Sequence, residues 1–363
     1  MDIVAIIWTI LGAALVLFTL VEVFLGVLHI DNGGLIAPRL HRWIWRGIMA
    51  LANRSGRRRR TPLALAGPIM IVATFGVWIG LFVLGFSLLY LPHMPGGFRL
   101  EPGVTAEGFL DSLYFSVGVG TVLGFGEITP VTPSLRVLSF MQGALGFALF
   151  TSVVAYLLSV VGGVSERNGL SMRLHTETGG TGDGVEIPLR SLRHESYSDL
   201  QRRLHSLTVS LQSVHEKMYQ FPILDIYYRS RNPARDPERM LKMSGNAALA
   251  ASIAAGLPGR GGLHPVAEEL QRAVDDLIEM LAAQYFPADV ERTILAAKVT
   301  AADRERVGEV RGRIESLAGG GVDVEGEKVE RSAARLRLIL DAMDRLTGWR
   351  RDLPAESSGA RES

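Results

Sequence analysis

Asp111-Ser-Leu-Tyr-Phe-Ser-Val-Gly-Val-Gly-Thr-Val-Leu-Gly-Phe-Gly-Glu-Ile-Thr-Pro130 is a short apolar run, compatible with a helix, that ends in Gly124-Phe125-Gly126 and meets an acid, Glu127, directly after. Glycine reaches backbone angles closed to other residues, so alternating glycines let consecutive backbone carbonyls point the same way. Apolar segments stand on both sides. Leu63 to Leu91 carries no charge, and Leu135 to Val164 carries only Arg136 near its start. A further segment, Ile3 to Leu28, has Glu22 as its one interior charge. Each exceeds the ~20 helical residues that span ~30 Å of hydrocarbon. Ile3 to Leu28 is too long for the apolar core of a cleaved signal peptide and lacks the basic start, so it reads as a membrane helix.

The 363 residues are 48% hydrophobic with a mean hydropathy of +0.22, too apolar for an ordinary soluble protein of this size. The apolar content is concentrated in the first 163 residues. Between the first two spans lie Arg39, Arg42, Arg46, Arg54 and Arg57 to Arg60 against the single acid Asp31. The segment after the second span has Arg99 against Glu101 and Glu107. Basic loops stay on the cytoplasmic side. The expected topology therefore puts the N-terminus and the Pro- and Gly-rich 92 to 108 loop outside, and the basic connector and everything after 164 inside. The net charge of +1 gives no reason to expect nucleic acid. With no cysteine, a disulfide framework and a thiolate metal site are excluded.

A column of like-pointing carbonyls can replace the water around a dehydrated cation. The 111 to 130 stretch resembles the pore loop of tetrameric potassium-channel-type proteins, whose usual filter reads Thr-Val-Gly-Tyr-Gly followed by Asp. Thr121 stands before the filter; Val122, Leu123, Gly124, Phe125 and Gly126 match it in turn, and Glu127 matches the acid. The resemblance covers roughly residues 62 to 163. It implies ion binding at residues 121 to 126, Glu127 at the outer mouth, filter support from Tyr114 and Phe115, and a gating hinge at Gly146. The departures have consequences. Val122 replaces a threonine hydroxyl at the innermost ion site. Phe125 and Phe115 replace a tyrosine and a tryptophan that hydrogen-bond in the family, and an apolar aromatic contact can replace that bond. Gly118 stands where some relatives carry a glutamate.

Local signals fill in the rest. Ala106 to Val119 reads as a pore helix with Thr105 as N-cap and Glu107 and Asp111 in its first turns. Arg39 to Asn53, with Trp43, Trp45, Ile48 and Met49 among bases, reads as a helix in the inner interface. Glu22 is expected to pair with a base of that connector. Gly162-Gly163 is expected to end the inner helix, and His175 to Val185 reads as a linker without the context of a nucleotide loop. Helices are expected after Ser196 and over Pro237 to Ala255, Pro265 to Tyr285, Pro287 to Gly308 and on to Leu317, and Glu327 to Trp349. The histidines after residue 164 show no zinc-site spacing.

The fold class expected is an all-α membrane protein: three transmembrane helices, a re-entrant pore helix and filter loop, and a helical cytoplasmic C-terminal domain. The expected divisions are 1–30, an additional N-terminal membrane helix; 31–61, a basic connector; 62–163, the pore domain; 164–353, the cytoplasmic helical domain; and 354–363, a disordered tail. The expected function is a homotetrameric cation channel of the plasma membrane that conducts potassium with reduced selectivity. The alternatives are a non-selective cation channel and a non-conducting membrane sensor or scaffold. No nucleophile-base or metal constellation suggests an enzyme. No cofactor is expected beyond permeant potassium ions. The expected partners are three further copies of the chain, membrane lipid including anionic lipid at Arg57, Arg58, Arg59 and Arg60, and a cytoplasmic regulator.

Overall fold

The computed structural model describes residues 3–27, 34–56, 59–104, 108–194, 196–259 and 261–352. The chain is an all-α membrane protein, in which three helices among the described residues are long and apolar enough to cross a bilayer. They are α1 (Ile3–Val27), α3 (Arg60–Tyr90) and α5 (Pro133–Glu177). Between α1 and α3 runs α2 (Ala37–Arg54), and between α3 and α5 the short α4 (Phe109–Gly120). Strands β1 (Phe98–Leu100) and β2 (Ile128–Pro130) pair antiparallel, with Arg99 opposite Thr129. Among the described residues there follow α6 (Glu186–Arg193), α7 (Tyr197–Gln220), α8 (Pro237–Ala255), α9 (His264–Tyr285), α10 (Ala288–Ala296), α11 (Ala301–Ala318) and α12 (Gly326–Thr347). Two compact units divide the chain, Met1–Gly47 with Gly67–Val161, and Ile48–Ala66 with Gly162–Ser363.

In the first unit α1 lies close on α3. A Cβ at Gly12 would stand 2.7 Å from the Gly85 carbonyl oxygen, so a small residue is what allows the two backbones to approach. Glu22 is 1% exposed and accepts from the backbone N–H of Leu35 at 2.8 Å and of Ile36 at 2.6 Å. The expected partner of Glu22 was a base of the connector; the observed partners are the backbone amides at the start of α2. A carboxylate there satisfies those donors and favours the positive end of the helix dipole. On α2 itself His41, Trp45, Ile48 and Ala52 recur at helical spacing on the more buried side. Trp43 is exposed, with the Arg46 guanidinium 5.8 Å from its ring.

Helix α4 starts at Phe109, and Asp111 accepts from the Gly108 amide at 3.1 Å, so Asp111 makes the cap contact. The Thr105 and Glu107 readings fall outside the described residues, as do the expected tail and Arg57 and Arg58.

The second unit is built around α8, whose Met240, Leu241, Ala247, Ala250 and Ile253 are buried against α6, α9, α11 and α12. Three expectations change here. Gly162-Gly163 does not end α5, which continues to Glu177. A Cβ at Gly163 would lie 2.5 Å from Leu224 Cδ1, so this glycine gives the room in which Leu224 packs. The 178–185 stretch is no loose linker. Thr178, Gly182, Gly184 and Val185 are buried, and α6 follows at once where no helix was expected. The helix expected over Pro287 to Leu317 is broken. Ala297 takes a left-handed φ of 43°, and Thr300 begins α11 with its amide and hydroxyl both donating to Asp303 Oδ2 at 2.8 and 2.7 Å. That is a capping box, with Asp in place of the usual Glu.

Arg59 and Arg60 are also corrected. Arg59 is 7% exposed and donates to the carbonyls of Gly348 at 3.0 Å and Thr347 at 2.6 Å. Arg60 pairs with Asp236 at 2.8 Å. Protein groups engage both guanidiniums, and the buried one, Arg59, demands a partner that lipid headgroups outside the fold cannot supply.

Candidate functional site

The loop after α4 is set by its backbone. Val122, Gly124 and Gly126 have φ of 63°, 51° and 88°. No positive φ occurs at Thr121, Leu123 or Phe125. The hand of the backbone therefore alternates residue by residue over 121 to 126. In an ordinary strand successive carbonyls face opposite ways; alternating the sign of φ rotates every second peptide, which turns them to one side. Gly124 and Gly126 adopt this at no steric cost, whereas Val122, β-branched, is strained by roughly 1–3 kcal/mol. The loop is seated on the end of α4. Val122 donates to the Val119 carbonyl at 3.0 Å, and both Leu123 and Gly124 donate to that of Gly118, at 3.0 and 3.1 Å. Val122, Leu123 and Phe125 are 63 to 65% exposed in the single chain.

The expected support residues divide their roles. Tyr114 stacks on Phe125, ring centroids 6.1 Å apart and planes 12° apart. Its hydroxyl donates to Glu127 Oε2 at 3.0 Å. Phe115 turns the other way, into an edge-on cluster with Tyr90 at 4.9 Å and Phe98 at 5.0 Å. Within the chain, then, the aromatic partner of Phe125 is Tyr114. Thr121 directs its hydroxyl to the Val117 carbonyl at 2.7 Å, along its own helix. Glu127 is further fixed through its carbonyl, which accepts from the Glu101 amide at 3.0 Å. Gly146 lies within unbroken helix, where a Cβ would meet the Gly120 carbonyl oxygen at 2.4 Å. Close approach of α5 to the end of α4 is what requires glycine at 146.

Sequence reasoning missed a buried polar network behind the loop. Gln142 on α5 is fully buried and donates from Nε2 to the Ser116 carbonyl at 2.9 Å and to Ser116 Oγ at 2.8 Å. Its Oε1 accepts from the Tyr90 hydroxyl at 2.9 Å. Ser116 Oγ in turn donates to the Val83 carbonyl at 2.7 Å, and Ser112 bonds Ser87 at 2.9 Å. These bonds fasten α4 to both α3 and α5. A glutamine in an apolar span, with serines at 112 and 116 one turn apart on the facing helix, was the available signal. Among the described residues no group of three or more His, Asp or Glu side chains could hold a metal ion.

Comparison with known proteins points to the same segment. Residues 69–162 match a family model described as Ion channel. The match begins inside α3, contains α4 and the alternating loop, and ends in α5, so the matched segment is the one that carries the candidate site. Over 226 residues the chain is 25% identical to the uncharacterized membrane protein YdjJ of Bacillus subtilis strain 168, covering 62% of this chain and 64% of that protein. Over 81 residues it is 30% identical to two pore potassium channel c of Oryza sativa subsp. japonica, covering 21% of this chain and 18% of that one. The chain thus spans less than two thirds of the length of either relative. No solved structure matches it.

Proposed function

We propose that the protein is a homotetrameric channel that conducts potassium across the plasma membrane, with weaker discrimination against sodium than relatives whose filter carries the inner threonine. The observation that carries this reading is the alternating backbone of residues 121 to 126, in a loop closed by Glu127 and set between two membrane helices. One such loop supplies one wall of a filter, and the exposed Val122, Leu123 and Phe125 are covered when copies assemble about a common axis. The oxygens at 121 to 126 bind the ion and the Glu127 carboxylates concentrate cations at the mouth. A potassium channel among the relatives supports the ion.

Selectivity turns on Val122. Each subunit lacks one hydroxyl oxygen at the inner site, and tenfold in selectivity corresponds to only ~1.4 kcal/mol. The test is potassium and sodium flux in liposomes, with reversal potentials for wild type and Val122→Thr. The expected result is potassium permeation with selectivity that rises in the variant. Absence of cation flux from verified tetramers refutes conduction; strong selectivity in the wild type, unchanged by the substitution, refutes the role of Val122. In the proposed orientation the N-terminus and the 92–108 loop face outside, and 31–61 with the C-terminal unit face inside. Because the chain has no cysteine, one cysteine introduced at Arg57 reports on this directly; its labelling by an impermeant reagent in intact cells overturns the orientation.

A further inference from the structure

The second unit carries a cavity of about 500 Å³ that is partly open to solvent. Its walls come from the turn after α5, through Gly182 and Asp183, and from α8, α11 and α12. Lys242, Arg306, Arg337 and Arg350 border it, against the carboxylates of Asp183 and Asp303. Both carboxylates are already engaged. Asp303 accepts from Arg337 at 2.7 and 2.9 Å. Asp183 accepts from Arg306 at 3.0 and 3.1 Å and from Asn246 at 3.0 Å, with Arg313 at 3.8 Å. Arg350 pairs with Asp341, outside the lining, at 2.6 Å.

Lys242 is the exception. It is half-buried, lines the cavity, and has no hydrogen bond or ion pair among the described residues. Arg239 lies one turn earlier on α8, likewise without a partner among them. Its guanidinium reaches Gly182, where a Cβ would stand 2.5 Å from Nη2. Two unpaired cations therefore flank the Gly182 turn on one face of α8. Withdrawing an ammonium from water is unfavourable unless a counter-charge meets it. Leu249, Leu336 and Leu340 give the cavity an apolar wall as well. A volume in the ~300–1,000 Å³ range with an apolar wall and a few convergent polar groups is the usual form of a small-molecule site.

We propose that this cavity binds a small organic phosphate about the size of a nucleoside monophosphate. Lys242 and Arg239 hold the phosphate beside the Gly182 turn, and the three leucines cover the organic body. Arg306 and Arg337 keep Asp183 and Asp303 from repelling it. The site does not depend on ion conduction by the other unit.

The test uses the full-length protein in nanodiscs of phosphatidylcholine, so that no lipid brings a net negative headgroup, with calorimetry and thermal melting as readouts. The probes are adenosine 5′-monophosphate, adenosine and inorganic phosphate. The expected result is saturable binding of the monophosphate with a raised melting temperature, and much weaker binding of the other two. Lys242→Gln weakens the monophosphate about tenfold or more, as for loss of one charge-assisted contact. Lys328→Gln, at an exposed lysine elsewhere on α12, leaves it unchanged. If Lys242→Gln does not fold, Arg239→Gln carries the same expectation. No saturable binding at millimolar monophosphate overturns the proposal, as does equal binding by Lys242→Gln. Inorganic phosphate binding as tightly as the monophosphate overturns the role of the leucine wall.

Discussion

Replacing Gln142 with leucine removes the centre of the network that fastens α4. The amide makes three hydrogen bonds, to the Ser116 carbonyl, to Ser116 Oγ and from the Tyr90 hydroxyl. Leucine is close in volume, so packing changes little. The Ser116 carbonyl keeps its place in the α4 ladder, and Ser116 Oγ still donates to Val83. Tyr90 is left with Ser139 Oγ at 3.4 Å, a poor substitute. Hydrogen bonds inside membrane proteins average ~0.6 kcal/mol each, and a buried polar group that loses its partner costs ~1–3 kcal/mol. Three bonds and one poorly satisfied hydroxyl give about 3 kcal/mol per chain, with a lower bound near 2, about a 30-fold shift in the unfolding equilibrium. Unfolding in mixed detergent micelles measures this, with Thr151→Val as comparator because the Thr151 hydroxyl bonds only the Phe147 carbonyl of its own helix. A cycle with Tyr90→Phe isolates one bond and should return a coupling near 1 kcal/mol. A Gln142→Leu protein no less stable than Thr151→Val, with no coupling to Tyr90, refutes the bracing role. Flux through the same variant should fall or lose selectivity, since α4 carries the residues on which the loop hangs.

Neutralising Glu127 to glutamine should lower cation conductance most at low ionic strength, where the field at the mouth is least screened. An equal loss at every salt concentration, matched by Tyr114→Phe, would show that the bond between Tyr114 and Glu127 acts by holding the loop. Arg60→Met leaves Asp236, 1% exposed in its side chain, with less of its counter-charge. Burial already pushes that carboxyl up. The single variant should be destabilised by about 3 kcal/mol and the pair Arg60→Met with Asp236→Asn by clearly less; denaturant titration that finds the double variant worse than the single sinks this account.

The membrane helices and the loop were legible because their signals are local. Helix length in hydrocarbon is counted from residues, and glycine at alternate positions states a backbone preference before any contact forms. The network was not legible in the same way. A lone glutamine at 142 announces a hydrogen bond but not its partner, and the partner is a tertiary fact. Glu22 is a similar case. The acid was conspicuous, but a basic connector suggested side-chain pairing, while the start of α2 offered nearer amides. Composition misled at 178–185, where glycine and threonine suggested slack chain. Gly182 and Gly184 there are buried in a tight turn. At Gly162-Gly163 local propensity pointed to a helix end, each glycine costing ~1 kcal/mol in a helix, and packing against Leu224 outweighed it. The break at 297–300 was within reach, because Thr300 and Asp303 have the spacing of a capping box.

Counting charges along α5 shows why its continuity matters. After Arg136 no charged residue appears until Glu166, an apolar stretch of roughly 43 Å at 1.5 Å per residue, enough to cross ~30 Å of hydrocarbon. The 45-residue helix is about 68 Å long, so it must leave the membrane and continue as part of the second unit. There Arg167 is 1% exposed and donates to the carbonyls of Leu224 and, at 2.8 Å, of Tyr228. The first residue of α3, Arg60, reaches the Ser230 carbonyl at 3.3 Å and the Asp236 carboxylate. The start of α3 and the part of α5 beyond its apolar stretch are thus held by one stretch of chain, 224 to 236. Arg167 and Asp236 are both buried, so neither contact slides freely: breaking either exposes or strands a charge. A stretch held at both ends in this way cannot shift against α5 without also loading α3.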